Sequence, residues 1–252
     1  VQPPFFYIID GRVPVIFRGP ITSWKAQIQT PAPPYFNVGI PLDSTTVAFR
    51  AISRKSNQNS LGVFTWAASS KTWLRPHLLQ KQIDGVFDTD GMLHYSEEMQ
   101  RIVYVYTYRN QYIVADKSGS LDYRGNTIDT VSHANIKVAY LDKKKERTMS
   151  KPALTVNSSS CVYGHLLFVN SQVPGRYEQQ KVWQQASVID VYDLRKRAYL
   201  FSFPVYGIKG KKLRNFLLSP THLFALIDTD LVIYELNDQL KKEIGSVQKK
   251  SF

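Results

Sequence analysis

Few residues of this chain could do chemistry, and their spacing decides what that chemistry would be. Asp84, Asp88 and Asp90 lead into Gly91 in the run DGVFDTDG, and oxygen ligands on alternate residues are how a loop wraps a calcium ion. Val86 and Met92 stand where such a loop needs oxygen, and no glutamate occupies its closing position. The run therefore reads as an aspartate-rich turn, with no metal expected. His77, His94, His133, His165 and His222 are dispersed, and no two have helical or zinc-ligand spacing. Cys161 follows Ser158-Ser159-Ser160 at the head of a strand. It would be a nucleophile only beside a base, and a lone strand cysteine is normally buried and inert. Carboxylate pairs for glycoside cleavage would come from Asp84, Asp88, Asp90, Glu97, Glu98 or Asp129, but the spacing does not fix their separation, which sets the mechanism. The sequence holds no Gly-x-Ser-x-Gly elbow, P-loop or Gly-x-Gly-x-x-Gly fingerprint. No catalytic residue and no cofactor is assigned.

Strands must position whatever site exists. Met92–Arg124 reads as four short strands joined by tight turns: Leu93–Tyr95, Arg101–Tyr108, Gln111–Asp116 and Ser120–Arg124. In the second, Ile102, Tyr104, Tyr106 and Tyr108 point one way and Val103, Val105 and Thr107 the other. Neither face is charged, so both are expected to be covered. A small antiparallel sheet buried on both faces is a blade of a β-propeller.

Similar units recur along the chain. Thr45–Ile52, Leu61–Ala67 and Thr72–Leu78, preceded by Tyr35–Val38, make an earlier blade. Ser160–Tyr163, Leu166–Asn170, Ala186–Tyr192 and Ala198–Phe203 make a later one, interrupted by the insertion Ser171–Gln185. The last comprises Leu213–Leu217, His222–Ile227, Leu231–Leu236 and a run near Ile244–Val247. At the start, Phe5–Ile9 and Val13–Phe17 flank Asp10-Gly11-Arg12, a hairpin signal that gives only half a blade. In several copies an apolar run ends at aspartate before a turn: Asp10, Asp116, Asp228 and, in a variant copy, Asp193. Each is expected to bond turn amides. The expected fold is all-β: one propeller over residues 1–252, with about five four-stranded blades visible and strands missing at the N-terminal side.

The 13% aromatic content suits pleated, half-buried surfaces and excludes a disordered chain. Residues 1–135 hold 13 Lys/Arg against 10 Asp/Glu, a net +3, while residues 136–252 hold 19 against 10, a net +9. Such a balance can serve an anionic partner. The basic clusters Lys143–Arg147, Arg195–Arg197 and Lys209–Arg214 fall in turn-like segments, however, and not on one periodic face. Nucleic acid is therefore not the expected partner. No apolar run reaches the roughly 18 residues of a membrane helix. Propellers usually bind where loops converge at the channel mouth. Polar residues at blade starts and ends give the binding candidates Arg50, His94, Arg109, His133, Asn135, Ser160 and Arg214.

The stretch DGMLHYSEEMQRIVYVYTYRNQYIVADKSGSLDYRGNTIDTVSHANIKV, with VNSSSCVYGHLLFVNS and ASVIDVYDLRKRAYLFSFPV, resembles uncharacterised propeller-like proteins of Bacteroidetes, similar to the TolB-like, six-bladed extracytoplasmic group. The resemblance covers most of residues 40–236 and brings no catalytic motif. It implies a monomeric, non-enzymatic binding or scaffolding propeller of the periplasm or cell surface, with an export signal or lipid anchor upstream. The partner it implies is a protein or glycan of the envelope. A hydrolase or lyase at the channel mouth is the alternative function, and an anionic-polymer binder the second.

Overall fold

The computed structural model describes residues 4–33, 35–141, 146–175 and 178–248. The fold is all-β and is built from five antiparallel blades. The first holds β1 (Phe5–Asp10), β2 (Val15–Pro20) and β3 (Gln27–Ile28). The second holds β4 (Phe36–Pro41), β5 (Thr46–Ile52), β6 (Asn59–Thr65) and β7 (Lys71–Arg75). The third holds β8 (Gly91–Ser96), β9 (Arg101–Tyr106), β10 (Gln111–Asp116) and β11 (Leu121–Asn126), closely matching the expected meander. A two-stranded ribbon, β12 (Val138–Leu141) with β13 (Glu146–Met149), stands between the third and fourth blades.

The fourth blade holds β14 (Asn157–Tyr163) and β15 (Leu166–Ser171), then a short helix α1 (Gln180–Gln185), then β16 (Ala186–Asp193) and β17 (Ala198–Tyr206). The fifth holds β18 (Leu213–Leu218), β19 (His222–Ile227) and β20 (Asp230–Glu235), followed by helix α2 (Asp238–Gln248). The run near Ile244–Val247, expected as that blade's fourth strand, is instead the second half of α2. Leu240 and Ile244 are spaced by four on α2 and, with Leu236 just before the helix, pack against the core.

Strands pair in sequence order within each blade, and the first strands of successive blades stand side by side: β4 by β8, β8 by β14, and β14 by β18. These inner strands run the same way. Ser160 meets His94, and further along in the same direction the Ser96 hydroxyl donates to the carbonyl of Gly164, just past the end of β14. The first blade departs from this plan. Gly11 lies against Asn37, Ile9 against Gly39, and the Tyr7 hydroxyl reaches the Asp43 carbonyl, so β1 runs opposite to β4. That is the direction of a blade's second strand.

Each interface between blades has its own apolar layer. Ile16, Phe36, Val47 and Phe49 join the first and second blades. Leu61, Val63, Ile102, Tyr104 and Ile113 join the second and third, and Val103, Val105, Leu167 and Val169 the third and fourth. Phe168, Ile189, Phe216 and Ala225 join the fourth and fifth. The alternation of β9 explains the pattern, since its two uncharged faces serve two different neighbours. Each fully buried aliphatic or aromatic side chain there contributes about 1.5–3 kcal/mol relative to exposure.

The aspartates at the turns act as their positions imply. Asp10 accepts amides of Arg12 and Val13, Asp116 those of Ser118 and Ser120, and Asp193 those of Arg195 and Lys196. Asp228 instead takes a positive φ of 55° within its turn.

Candidate functional site

At the rim where the inner strands begin, Arg50 and Arg109 are buried. Arg50, near the end of β5, donates to Asn37 Oδ1 at 3.0 Å, Asp90 Oδ1 at 2.5 Å and the Tyr104 hydroxyl at 2.7 Å. Tyr104 in turn donates to the Thr89 carbonyl at 2.7 Å and meets Tyr106 edge-on, with ring centroids 5.5 Å apart. The Arg109 guanidinium lies 3.6 Å over the Tyr106 ring and donates to the Gln80 carbonyl at 2.8 Å. The result is a buried ladder, Arg50–Tyr104–Tyr106–Arg109, that clamps the second blade to the third. Burial raises the Tyr104 hydroxyl's pKa, so it stays protonated as a donor.

One pair from the candidate set converges elsewhere. His94 on β8 and Ser160 on β14 meet across the third and fourth blades, with Nε2 and Oγ 2.7 Å apart. Ser160 is buried and also contacts Met92 Sδ at 3.3 Å. Packing around the imidazole lowers its pKa to about 4, so it is neutral at physiological pH and able to accept the serine proton. Burial also pushes the neighbouring Cys161 thiol up to about 12, leaving it an inert thiol.

The remaining candidates stand apart. His133 is exposed and bonded to Ser132 at 3.0 Å, Asn135 is exposed on the same connection, and Arg214 reaches the Asp228 carbonyl at 3.3 Å in the fifth blade. The aspartate-rich run folds as a turn. Asp88 accepts amides of Gln82, Ile83, Asp84 and Gly85, and Asp84 those of Val86 and Phe87. Burial works against the Asp88 charge, but these bonds outweigh it and hold its carboxyl below the usual range. Among the described residues, no group of three His, Cys, Asp or Glu could hold a metal ion.

The opposite ends of the inner strands carry an open cleft of about 410 Å³ that sequence reasoning missed. It is lined by Tyr7 of β1, Asp43 after β4, Tyr95 and Glu97 at the end of β8, Gln100, and Lys117 in the β10–β11 turn. Lys117 pairs with Asp43 at 3.4 Å and sits 5.8 Å from the Tyr95 ring centroid. Aromatic rings and hydrogen-bonding groups of both signs thus converge on one solvent-open hollow. Its residues come from the ends of strands in three blades, so no local spacing announces it.

Among the described residues the basic clusters do not merge. Arg195 pairs with Glu98, Lys196 with Asp193 at 3.4 Å, and Arg197 lies 4.3 Å over the Tyr123 ring. Lys209–Arg214 sits beyond the far end of β17, whose nine residues span about 30 Å. Lys143–Lys145 of the third cluster lie outside the described residues, while Arg147 donates to the carbonyls of Asn57 and Asp84.

No family profile and no curated protein matches the chain by sequence. Solved structures do resemble it in shape. The tricorn protease aligns over 89% of this chain and 18% of its own, at 12% identity and TM-score 0.45. The calcium-binding protein regucalcin from Agrobacterium tumefaciens aligns over 89% of this chain and 65% of its own, at 11% identity and TM-score 0.45. A nidogen/laminin complex aligns over 79% and 59%, at 8% identity and TM-score 0.42. The chain spans less than two thirds of each of these neighbours. The class of protein is therefore read from its own five blades: it is a β-propeller.

Proposed function

We propose that this protein is a non-enzymatic binding propeller of the bacterial cell envelope that takes a glycan at the cleft between Tyr95 and Lys117. The observation that carries the reading is the cleft itself. Tyr7 and Tyr95 offer aromatic surface for a sugar ring, and Asp43, Glu97, Gln100 and Lys117 offer donors and acceptors for hydroxyls. At the other rim, Arg50 and Arg109 are engaged in joining blades. The resemblance to exported, lipoprotein-like, six-bladed TolB-like proteins of Bacteroidetes supports a periplasmic or surface location. No described helix is long and apolar enough to cross a membrane. A glycan array, including cell-wall fragments, tests the reading. Binding by the native chain that falls at least tenfold in Tyr95→Ala is expected. Binding to no glycan, or binding indifferent to Tyr95→Ala, overturns it.

A second reading, ester hydrolysis, is favoured by one contact: the neutral His94 imidazole 2.7 Å from Ser160 Oγ is the arrangement of a base and its nucleophile. Turnover of p-nitrophenyl acetate abolished by Ser160→Ala would establish it in place of the binding reading. Equal rates in the two proteins would dismiss it.

A further inference from the structure

We propose that the seam between the second and third blades binds a small oxyanion, phosphate or sulfate, through Arg109 and Arg124 beside Tyr106. The first observation is a buried cation without a counter-charge. Arg109 is 1% exposed, and its Nη2 donates to the Gln80 carbonyl at 2.8 Å. Its Nε and Nη1 are buried and meet no hydrogen-bond acceptor. The Tyr106 ring covers one face of the guanidinium at 3.6 Å but supplies no net negative charge. Taking a cation out of water is costly unless it is paired and hydrogen-bonded. A carboxylate is the usual partner, and among the described residues Arg109 has none.

The second observation is a neighbouring arginine in the same condition. Arg124 on β11 donates through Nη2 to the carbonyls of His77 and Leu78, at 3.1 and 2.9 Å. Its Nε is buried and has no acceptor, and among the described residues it has no ion pair. The other two basic side chains of the third blade are paired, Arg101 with Asp122 at 3.1 Å and Lys117 with Asp43 at 3.4 Å. Arg109 and Arg124 thus fasten the same segment, His77–Gln80 of the β7–β8 connection. Beside them the Tyr106 hydroxyl accepts the Gln80 amide at 3.1 Å. Burial raises the pKa of this hydroxyl while the Arg109 and Arg124 charges oppose the rise, so both guanidinium groups act on one oxygen. The hydroxyl stays protonated and able to donate.

These groups define the ligand. Uncommitted donors on two guanidinium groups and a hydroxyl call for a ligand that accepts hydrogen bonds. Two cations without a carboxylate call for more than one negative charge. Phosphate and sulfate meet both conditions, whereas chloride and a lone carboxylate carry a single charge. Arginine also matches oxyanions better than lysine does, because its planar fork presents fixed donors. The segment that the two arginines fasten is open to solvent, with His77, Gln80 and Lys81 exposed, and Lys81 adds a third cation to its outer side. The inference is independent of the glycan cleft, which lies at the other ends of the inner strands.

The test uses the full chain, dialysed free of both anions, with sodium phosphate, sulfate and chloride compared at equal ionic strength. Calorimetry should show one saturable site for phosphate or sulfate at millimolar concentration or below, and none for chloride. Arg124→Gln, with its fold checked by circular dichroism, should weaken that binding at least tenfold. Arg109→Gln should do the same, and where it fails to fold Arg124→Gln carries the comparison alone. Both anions stabilise proteins generally by exclusion from their surfaces, so the rise in melting temperature must also be smaller in Arg124→Gln than in the native chain. Glucose 6-phosphate separates the sources. If it displaces sulfate, the site takes a phosphate carried on a larger molecule; if it does not, the site takes the free anion, and either result supports the proposal. Tyr95→Ala should leave anion binding unchanged. No saturable binding of either anion, equal binding by the native chain and Arg124→Gln, or loss of binding in Tyr95→Ala overturns the proposal.

Discussion

Two titratable groups, the buried Asp190 and the half-buried His94, should pull the pH dependence of stability in opposite directions, and single replacements should expose each. Asp190 on β16 is buried, and burial together with the nearby Glu178 and Asp129 charges raises its carboxyl pKa to about 6, although Ser202 and Tyr192 donate to it. Its ordinary value is 3.8. The folded state therefore holds this proton more tightly than the unfolded state. The resulting advantage is fully present below pH 3.8 and is lost as pH rises to about 6. At about 1.4 kcal/mol for each pH unit between the two values, the loss is about 3 kcal/mol. His94 works the other way. Its pKa falls from 6.5 to about 4 on folding, so stability is lost as pH falls through that window, again by about 3 kcal/mol. Asp43, Asp88 and Asp116, whose values are lowered, act at more acid pH. Urea unfolding followed by tryptophan fluorescence between pH 4 and 6.5 should thus give a nearly flat profile for the native chain. Asp190→Asn should gain about 3 kcal/mol across the window as pH rises, and His94→Gln should lose about as much. If either variant keeps the native profile, the assignment of that group is wrong.

Arg50→Ala should cost about 1–3 kcal/mol, chiefly by leaving the buried Tyr104 hydroxyl without its donor, since the half-exposed Asp90 carboxylate regains water, a loss measurable by the same unfolding assay. Arg50→Lys should recover part of it, since one ammonium cannot span Asn37, Asp90 and Tyr104 together. Gly11→Ala should destabilise by about 1–3 kcal/mol, because its Cβ would fall 2.0 Å from the Asn37 carbonyl oxygen. An unchanged melting temperature would show that the first hairpin does not rest on the second blade as described.

The blades were legible because their signals are local. The alternation Ile102–Tyr106, the aspartates at the turns and the regular return of apolar runs each depend on residues within one hairpin. The end of the chain was not: Ile244 and its neighbours are apolar enough for a strand, and only the four-residue spacing from Leu236 and Leu240 marks a helix. The ribbon strand β13, Glu146–Met149, carries little apolar signal and escaped notice beside the charge run. As for sites, the sequence could nominate His94 and Ser160 separately but could not place them 2.7 Å apart, since they lie 66 residues apart on the inner strands of two different blades. Arg50 and Arg109 looked like rim residues free to bind. Their burial depends on Tyr104 and Tyr106, whose rings separate the two guanidinium groups. The cleft at Tyr95 and Lys117 depends on where strands end in space, which no spacing along the chain encodes.

Among the described residues the apolar layers lie only between blades that are consecutive in sequence, and this has a mechanical consequence. The second, third and fourth blades are gripped from both sides, while among the described residues the first and fifth are each gripped from one. The molecule therefore behaves as a stack with fraying ends. A force that peeled the outermost blades first would reach the third blade last, so the centre of the stack would keep its shape after the first and fifth blades had yielded.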